Sequence, residues 1–482
     1  MQDMIVVLCR HPREAGLVAR MLRCREIYCL PLPFDTPAEQ VLSHSPKGVI
    51  LASESDCAET LDSFDFSLLS LDVPVLALGG MAAELCAHFG GSAAPAVCER
   101  SFVTLSLAGD ALFEEIDSGE RMLGGFSELT LPETLTPLAS ATERVIGFKH
   151  QALPLYAMQF PIERNDPDSA QLLYNFAHAV CGAEPVWNDD AIIDHAVEVI
   201  RKAAPEGRVL CAVSGGVDSA VCAKLARLAV GDRLVCVFVD TGLFREEEPE
   251  SVIRAFMETM GLVVAHVDAS ESFLRVLSGV TNPADKERIA SQLMTQVLIK
   301  QLNYDPEIRT IVMGTNFNDK LFGFAPAEKE APMEHITMCE PISALFKDEV
   351  RRLATALDLP PFITNRQPFP SSGLALRVMS SLTEEKLRYL RKADAIFTEE
   401  IRSGGYDRRL WQYYATLVES PDRPDGYAVC LRATQTAQGG AVAARLPYDL
   451  LERTTEKILA EVPGAARVVY DLTPSAHYGE LE

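Results

Sequence analysis

The chain has 482 residues, 48% of them hydrophobic and 23% charged, and carries a formal net charge of −24. At about 150 residues per domain it is long enough for about three cores, and its composition leaves little room for a long disordered tract. The acidic balance excludes broad non-specific binding to DNA, RNA or an anionic membrane, so a small anionic substrate would need a local basic pocket.

No stretch is apolar for long enough to span a bilayer, and the N-terminal hydrophobic run ends after a few residues. With no targeting signal, the expected location is the cytoplasm. The 12 cysteines include no CxxC pair, and several fall in apolar runs such as Val209–Ala212 and Val235–Val239, as expected of reduced, buried thiols.

In chain order, short apolar runs at Ile5–Leu8, Gly48–Leu51, Val73–Leu78 and Leu155–Phe160 alternate with helical spacing at Ala15–Leu22 and Ala82–Phe89, which predicts a βαβ-type sheet. A helix over Ser169–Val180 closes at Gly182, and Pro185, Asn188 and Asp189 precede the next helical run, Ile192–Ile200. The first domain boundary is therefore placed after residue 182. The following segment reads strand Arg208–Val213, helix Ser219–Ala229, strand Leu234–Val239, helix Pro249–Met260, strand Val263–Asp268, helix Asp285–Leu302 and strand Thr310–Met313. That is the doubly wound pattern, with ligands expected at the carboxyl ends of the strands. From about residue 366, after a proline-rich stretch, a helix at Thr383–Arg402, strands at Ala428–Arg432 and Arg467–Asp471 and a helix at Tyr448–Glu461 predict a mixed α+β domain.

The most informative segment is VLCAVSGGVDSAVCAKLARLA. An apolar strand runs into Ser214, Gly215, Gly216, Val217, Asp218 and Ser219 and then directly into a helix. Glycines let backbone approach an anion, the two hydroxyls can donate to phosphate oxygens, and the helix N-terminus adds amide donors and its dipole. The spacing is that of neither the Walker loop nor the GxGxxG dinucleotide fingerprint.

SGGVDS resembles the motif of the PP-loop ATP pyrophosphatases, and its longer run, through VFVDTGLFREEE, is similar to the GMP synthase family. Further blocks match in order: VDASESFLRVLSGVTNPADKERI, EPISALFKDEVRRLA, RQPFP, LRKADAIFTEEI, ARLPYDLLERTTEKI and EVPGAARVVYDLT. The resemblance implies three domains, a class I amidotransferase-like α/β domain at 1–182, an ATP pyrophosphatase domain at 183–365 and a C-terminal α+β dimerisation and substrate domain at 366–482. It implies ATP and Mg²⁺ as cofactors, adenylylation of XMP or a related acceptor, and attack by ammonia with release of AMP and pyrophosphate.

Carried onto matching positions, the resemblance implies ATP contacts from Ser214–Ser219, Val239, Asp240, Gly314 and Thr315. Asp218 and Lys347 become catalytic candidates, Asp218 and Asp319 magnesium candidates, and Arg288, Arg366, Arg432 and Arg445 substrate candidates. A homodimer is implied as well, with no nucleic acid or membrane partner.

Residues 1–182 resemble the family's glutaminase half in order, but the chemistry is missing. Gly79 stands at the position of the nucleophilic cysteine and Pro161 at that of the histidine, while Glu163 is retained; Ala52, Ser53 and Glu54 replace the oxyanion glycines. A cysteine–histidine pair works by proton transfer from thiol to base, which glycine and proline cannot do. Cys86, at helical spacing from Ala82 and Phe89, reads as core, and His150 as a solvated loop histidine. Ammonia is then expected as free ammonia or from a separate glutaminase. Departures also fall where the purine nucleotide binds in the family: the segment FAPAEKEAPMEHITM has His335 alone, PFPSSG replaces PFPGPG, and the tail is TPSAHYGELE. These leave the acceptor open between XMP and another small carbonyl or carboxylate, and leave as a further alternative a non-catalytic nucleotide-binding paralogue, against which the unbroken SGGVDS speaks.

Overall fold

Two sheets are built on parallel strands, and each belongs to its own compact unit, Met1–Ile192 and Ile193–Glu482. The computed structural model describes all residues except 1–2, 11, 53–62, 71, 95–100, 124–125, 160–165, 318, 320–334, 365, 368, 370–371, 421–425, 438–439 and 474–482.

In the first unit a nine-stranded sheet runs in the spatial order Cys29–Pro33, Ile5–Cys9, Gly48–Ala52, Val75–Leu78, Leu155–Met158, Arg144–His150, Leu135–Ala141, Ser101–Leu107 and Gly119–Leu123. The first five are mutually parallel and the last four antiparallel. The parallel strands Ile5–Cys9, Gly48–Ala52 and Val75–Leu78 are almost wholly buried, as strands covered on both faces must be. The antiparallel strands were not anticipated between Phe89 and Leu155. Ser101–Leu107 alternates exposed and buried residues, so it carries only a weak apolar signal. The core joins Val6, Leu8, Val49, Leu51, Ala77, Leu85 and Phe148.

In the second unit five parallel strands lie in the order Val264–Asp268, Leu234–Asp240, Arg208–Ala212, Ile308–Val312, Thr337–Cys339. Cys211 of the central strand is in register with Cys236 on one side and Val312 on the other. Chain order reverses at the central strand, so the crevice beyond the carboxyl ends of Arg208–Ala212 and Ile308–Val312 is the topological switch point, where such sheets bind ligands. The helix expected over Pro249–Met260 is an α-helix Glu248–Arg254 continued by a π-turn over Ala255–Thr259. A further helix, Ser270–Leu277, was not anticipated.

The long helices begin where their caps dictate. Asn282 accepts from the amides of Ala284 and Asp285 ahead of Pro283–Tyr304, and Thr383 accepts from that of Lys386 ahead of Glu384–Ser403. A four-stranded sheet, Gln412–Glu419, Tyr427–Ala437 and Gly440–Ala443 antiparallel with Ala465–Tyr470 parallel to the second of them, completes the unit. One core cluster joins Leu210, Val237 and Ile311 of the parallel sheet to Leu374, Leu390, Phe397, Tyr413 and Leu431 of the segments that follow it in the same unit. No described helix is long and apolar enough to cross a membrane.

Candidate functional site

At the end of the central strand the chain turns through Ser214–Gly216 into the helix Val217–Val230. The Ser219 hydroxyl ties the turn together: it donates to Gly216 O at 3.0 Å, accepts from the Ser214 amide at 3.2 Å and lies 3.3 Å from the Ser214 hydroxyl. Gly215 has φ +78°, and a Cβ there would meet Val252 Cγ2 at 2.4 Å and Arg366 Nη1 at 2.9 Å. Only glycine fits that backbone and that gap.

Across the switch point the adjacent strand, Ile308–Val312, is followed by Gly314, Thr315 and Asn316. Gly314 lies against the loop's helix, where a Cβ would stand 3.1 Å from Ser219 N. Asn316 links the two candidate metal carboxylates. Its amide Nδ2 donates to Asp218 Oδ1 at 3.4 Å, and its backbone N donates to Asp319 Oδ2 at 2.9 Å. Lys347, the first residue of the helix Lys347–Ala356, forms an ion pair with Asp218 Oδ2. Burial raises the Asp319 carboxyl above its usual range, the nearby Asp218 adds to this, and Lys347 opposes it. Arg351, one turn beyond Lys347, is held below the ordinary guanidinium value by burial, with Asp218 opposing. Three of the candidates, Asp218, Asp319 and Lys347, are thus brought to one place from positions far apart in the chain.

Val239 and Asp240 end the neighbouring strand. Val239 is buried, and Asp240 accepts from Gly242 N at 2.8 Å and stands 3.9 Å from His266 Nε2. A cleft of about 370 Å³ opens beside Asp240, lined by Glu250, Arg254, Met257 and His266 among others.

The four candidate substrate arginines do not assemble. Arg366 reaches the phosphate loop, donating to Ser214 O at 3.2 Å and pairing with Glu248. Arg288 pairs with Asp285 at 3.1 Å on an exposed helix face. Arg432 is buried in an ion pair with Asp471 at 3.2 Å, and exposed Arg445 lines an apolar groove with Leu446, Tyr470 and Leu472. Glu248, Asn316 and Arg351 were not singled out from the sequence. The spacing of Arg351 four residues after Lys347 was the available signal for one of them.

In the first unit, Gly79 follows the strand Val75–Leu78 with φ 61° and ψ −135°, and the helix Gly80–His88 begins immediately. This is the strained strand-to-helix elbow that elsewhere presents a nucleophile, here with no side chain. Cys86 is fully buried and burial raises its thiol; its Sγ lies 3.6 Å from Thr130 O. His150 Nδ1 accepts from Ala152 N at 3.1 Å and Leu153 N at 3.0 Å, so the ring caps a turn. Ala52 is buried at the end of its strand. Ser53, Glu54, Pro161 and Glu163, and most of the segment ahead of His335, lie outside the described residues.

A phosphate loop at the switch point of a parallel sheet, flanked by acidic and basic side chains, defines a protein of the PP-loop ATP pyrophosphatase class, and residues 190–400 match the NAD synthase family model. Residues 399–477 match the model of the GMP synthase C-terminal domain. A glutamine-hydrolysing GMP synthase of Carboxydothermus hydrogenoformans is 35% identical over 502 aligned residues, covering 98% of this chain and 98% of that protein. Those of Symbiobacterium thermophilum and Wolinella succinogenes are each also 35% identical, covering 98% and 95% of this chain and 97% and 94% of theirs. Among solved structures, NMN synthetase of Francisella tularensis is 19% identical over 39% of this chain and 77% of its own, with a TM-score of 0.32. The chain belongs to the GMP synthase family.

Proposed function

We propose that this chain is an ATP-dependent carbon–nitrogen ligase that adenylylates XMP or a related acceptor and lets ammonia displace AMP, with pyrophosphate leaving, and that it has no glutaminase activity of its own. The observation that carries the reading is the meeting of Asp218, Asp319 and Lys347 at the mouth of the Ser214–Ser219 loop.

In this reading the loop amides and hydroxyls hold the ATP phosphates, and Val239, Asp240, Gly314 and Thr315 flank the nucleotide. Lys347 balances charge that builds on the departing pyrophosphate, in a position fixed before the reaction by Asp218. Magnesium fits the donors present: it binds one or two carboxylates together with substrate phosphates, and Asp218 and Asp319 supply two hard oxygen donors whose mutual repulsion a cation would relieve. Its chemistry there would be neutralisation of phosphate charge. Proton handling and orientation fall to the protein's own groups.

The loss of glutaminase chemistry is supported by Gly79, which keeps the elbow backbone but offers no thiol. Nitrogen then comes as free ammonia or from a separate glutaminase. The three-part division at 182 and 365, a homodimer and a cytoplasmic location belong to the same proposal. A second reading, the same chemistry on another carbonyl or carboxylate, is favoured by the dispersal of Arg288, Arg366, Arg432 and Arg445.

The test is incubation with ATP, Mg²⁺, XMP and either ammonium or glutamine, following AMP, pyrophosphate and GMP. Ammonium is expected to give GMP and glutamine none. Pyrophosphate release with some other acceptor but not with XMP would favour the second reading, and glutamine-driven synthesis by the isolated chain would overturn the claim about its first unit.

A further inference from the structure

We propose that Arg366, steered by Glu248, is a positioning residue that aims the Gly215 amide at the ATP phosphates, and that it does not contact the acceptor. The inference rests on the ATP reading above and assigns one residue's part in it.

A trans peptide is planar, with its C=O and N–H pointing to opposite sides. Arg366 Nη1 donates to the Ser214 carbonyl at 3.2 Å, so it fixes one side of the Ser214–Gly215 peptide and turns the Gly215 N–H the other way. Left alone, a glycine-rich turn samples many orientations, and ordering it on binding would cost conformational entropy. A held carbonyl removes that freedom beforehand.

Arg366 is itself held. Its other terminal nitrogen pairs with Glu248 Oε1, in an ion pair whose side chains are 19% and 13% exposed. Glu248 is locked by the Arg245 amide, which donates to Oε2 at 3.0 Å. Arg245 is tied in turn to the C-terminal half of the unit, through Asp394 at 3.1 Å and through the Tyr413 carbonyl at 3.4 Å. The missing Cβ of Gly215 leaves the space that the Arg366 guanidinium occupies. The guanidinium is therefore committed to the back of the loop, where its fork bridges a carbonyl and a carboxylate, a geometry that lysine cannot reproduce.

The experiment compares the full-length chain with Arg366→Ala, Arg366→Lys, Glu248→Gln and the Arg366→Ala/Glu248→Gln double variant. Affinities for ATP, AMP and pyrophosphate are read by calorimetry, KM for ATP and for the acceptor by kinetics, and folding by thermal unfolding. Arg366→Ala and Glu248→Gln should weaken ATP and pyrophosphate by about 10- to 100-fold, the scale of a lost charge-assisted hydrogen bond. AMP affinity and acceptor KM should stay within about twofold, because the loop's pyrophosphate contacts alone are disturbed. The double variant should be no worse than Arg366→Ala, since the two act as one unit. Arg366→Lys, which keeps the charge and perturbs folding least, should still lose most of the pyrophosphate affinity.

A raised acceptor KM with ATP and pyrophosphate binding intact would overturn the proposal and make Arg366 a substrate contact. Equal losses for AMP and ATP would overturn it too. If the unaltered chain binds neither ATP nor pyrophosphate, the ATP reading itself fails and the proposal with it, an outcome separable from a failure confined to the variants.

Discussion

Replacing Lys347 with methionine removes a cation from beside two carboxylates while keeping most of the side chain's bulk. The Lys347–Asp218 pair has side chains 33% and 19% exposed, so water already screens it, and its loss should cost folding only about 0–1 kcal/mol. The effect on chemistry should be larger. A preorganised charge aimed at a developing anion is worth about 10²–10³ in kcat, or about 3–4 kcal/mol. Asp319 supplies a second readout: its carboxyl is already raised by burial and by Asp218, and Lys347 is the opposing influence. Without that cation the neutral acid is favoured further, so the acid limb of kcat/KM should move to higher pH. Pyrophosphate release measured across pH at limiting magnesium, where protonation of Asp319 competes with the cation, beside thermal unfolding, tests both. A variant with kcat within about threefold of the parent and an unmoved acid limb would refute the assignment of Lys347 to the reacting charge.

Asp394→Asn should destabilise the second unit by about 3–5 kcal/mol in urea titration, because it leaves the guanidiniums of Arg245 and fully buried Arg377 without their shared counter-charge; a loss under about 1 kcal/mol would show that the cluster is not balanced as described. Gly79→Ala should cost about 1–3 kcal/mol, since φ 61° with ψ −135° is strained for any side chain, and Gly79→Cys should by itself hydrolyse no glutamine. Brief alkylation at neutral pH followed by peptide mapping should label exposed Cys24 and spare Cys86, which is buried and whose thiol is raised; equal labelling would reopen Cys86 as a nucleophile.

Local signals were strong enough to place the phosphate loop. An apolar strand, a Ser-Gly-Gly turn and a helix with apolar spacing lie within one short run, and the structure builds them as a strand, a loop with φ +78° at Gly215 and the helix Val217–Val230. The alternation of strands and helices likewise announced four of the five parallel strands around it, with ends shifted by a residue or two, and missed the three-residue strand Thr337–Cys339. Ser101–Leu107 escaped notice because half of it faces outward, and Arg144–His150 because its apolar run is short and bracketed by Arg144, Lys149 and His150; both are held by pairing with other strands.

The resemblance pointed to Asp218, Asp319 and Lys347, but composition and spacing held nothing to say that they meet. Lys347 and Asp218 are 129 positions apart in the chain, and Arg366 and Ser214 are 152 apart. The residue types of the loop, the buried strands and the missing thiol and imidazole at positions 79 and 161 are properties of the chain read in order. Which cation faces the carboxylates and which arginine stands behind the loop depend on how the parallel sheet reverses at its central strand, because that reversal brings the ends of two separated strands to one crevice, whereas Arg432 is sealed against Asp471 by strand pairing in the C-terminal sheet.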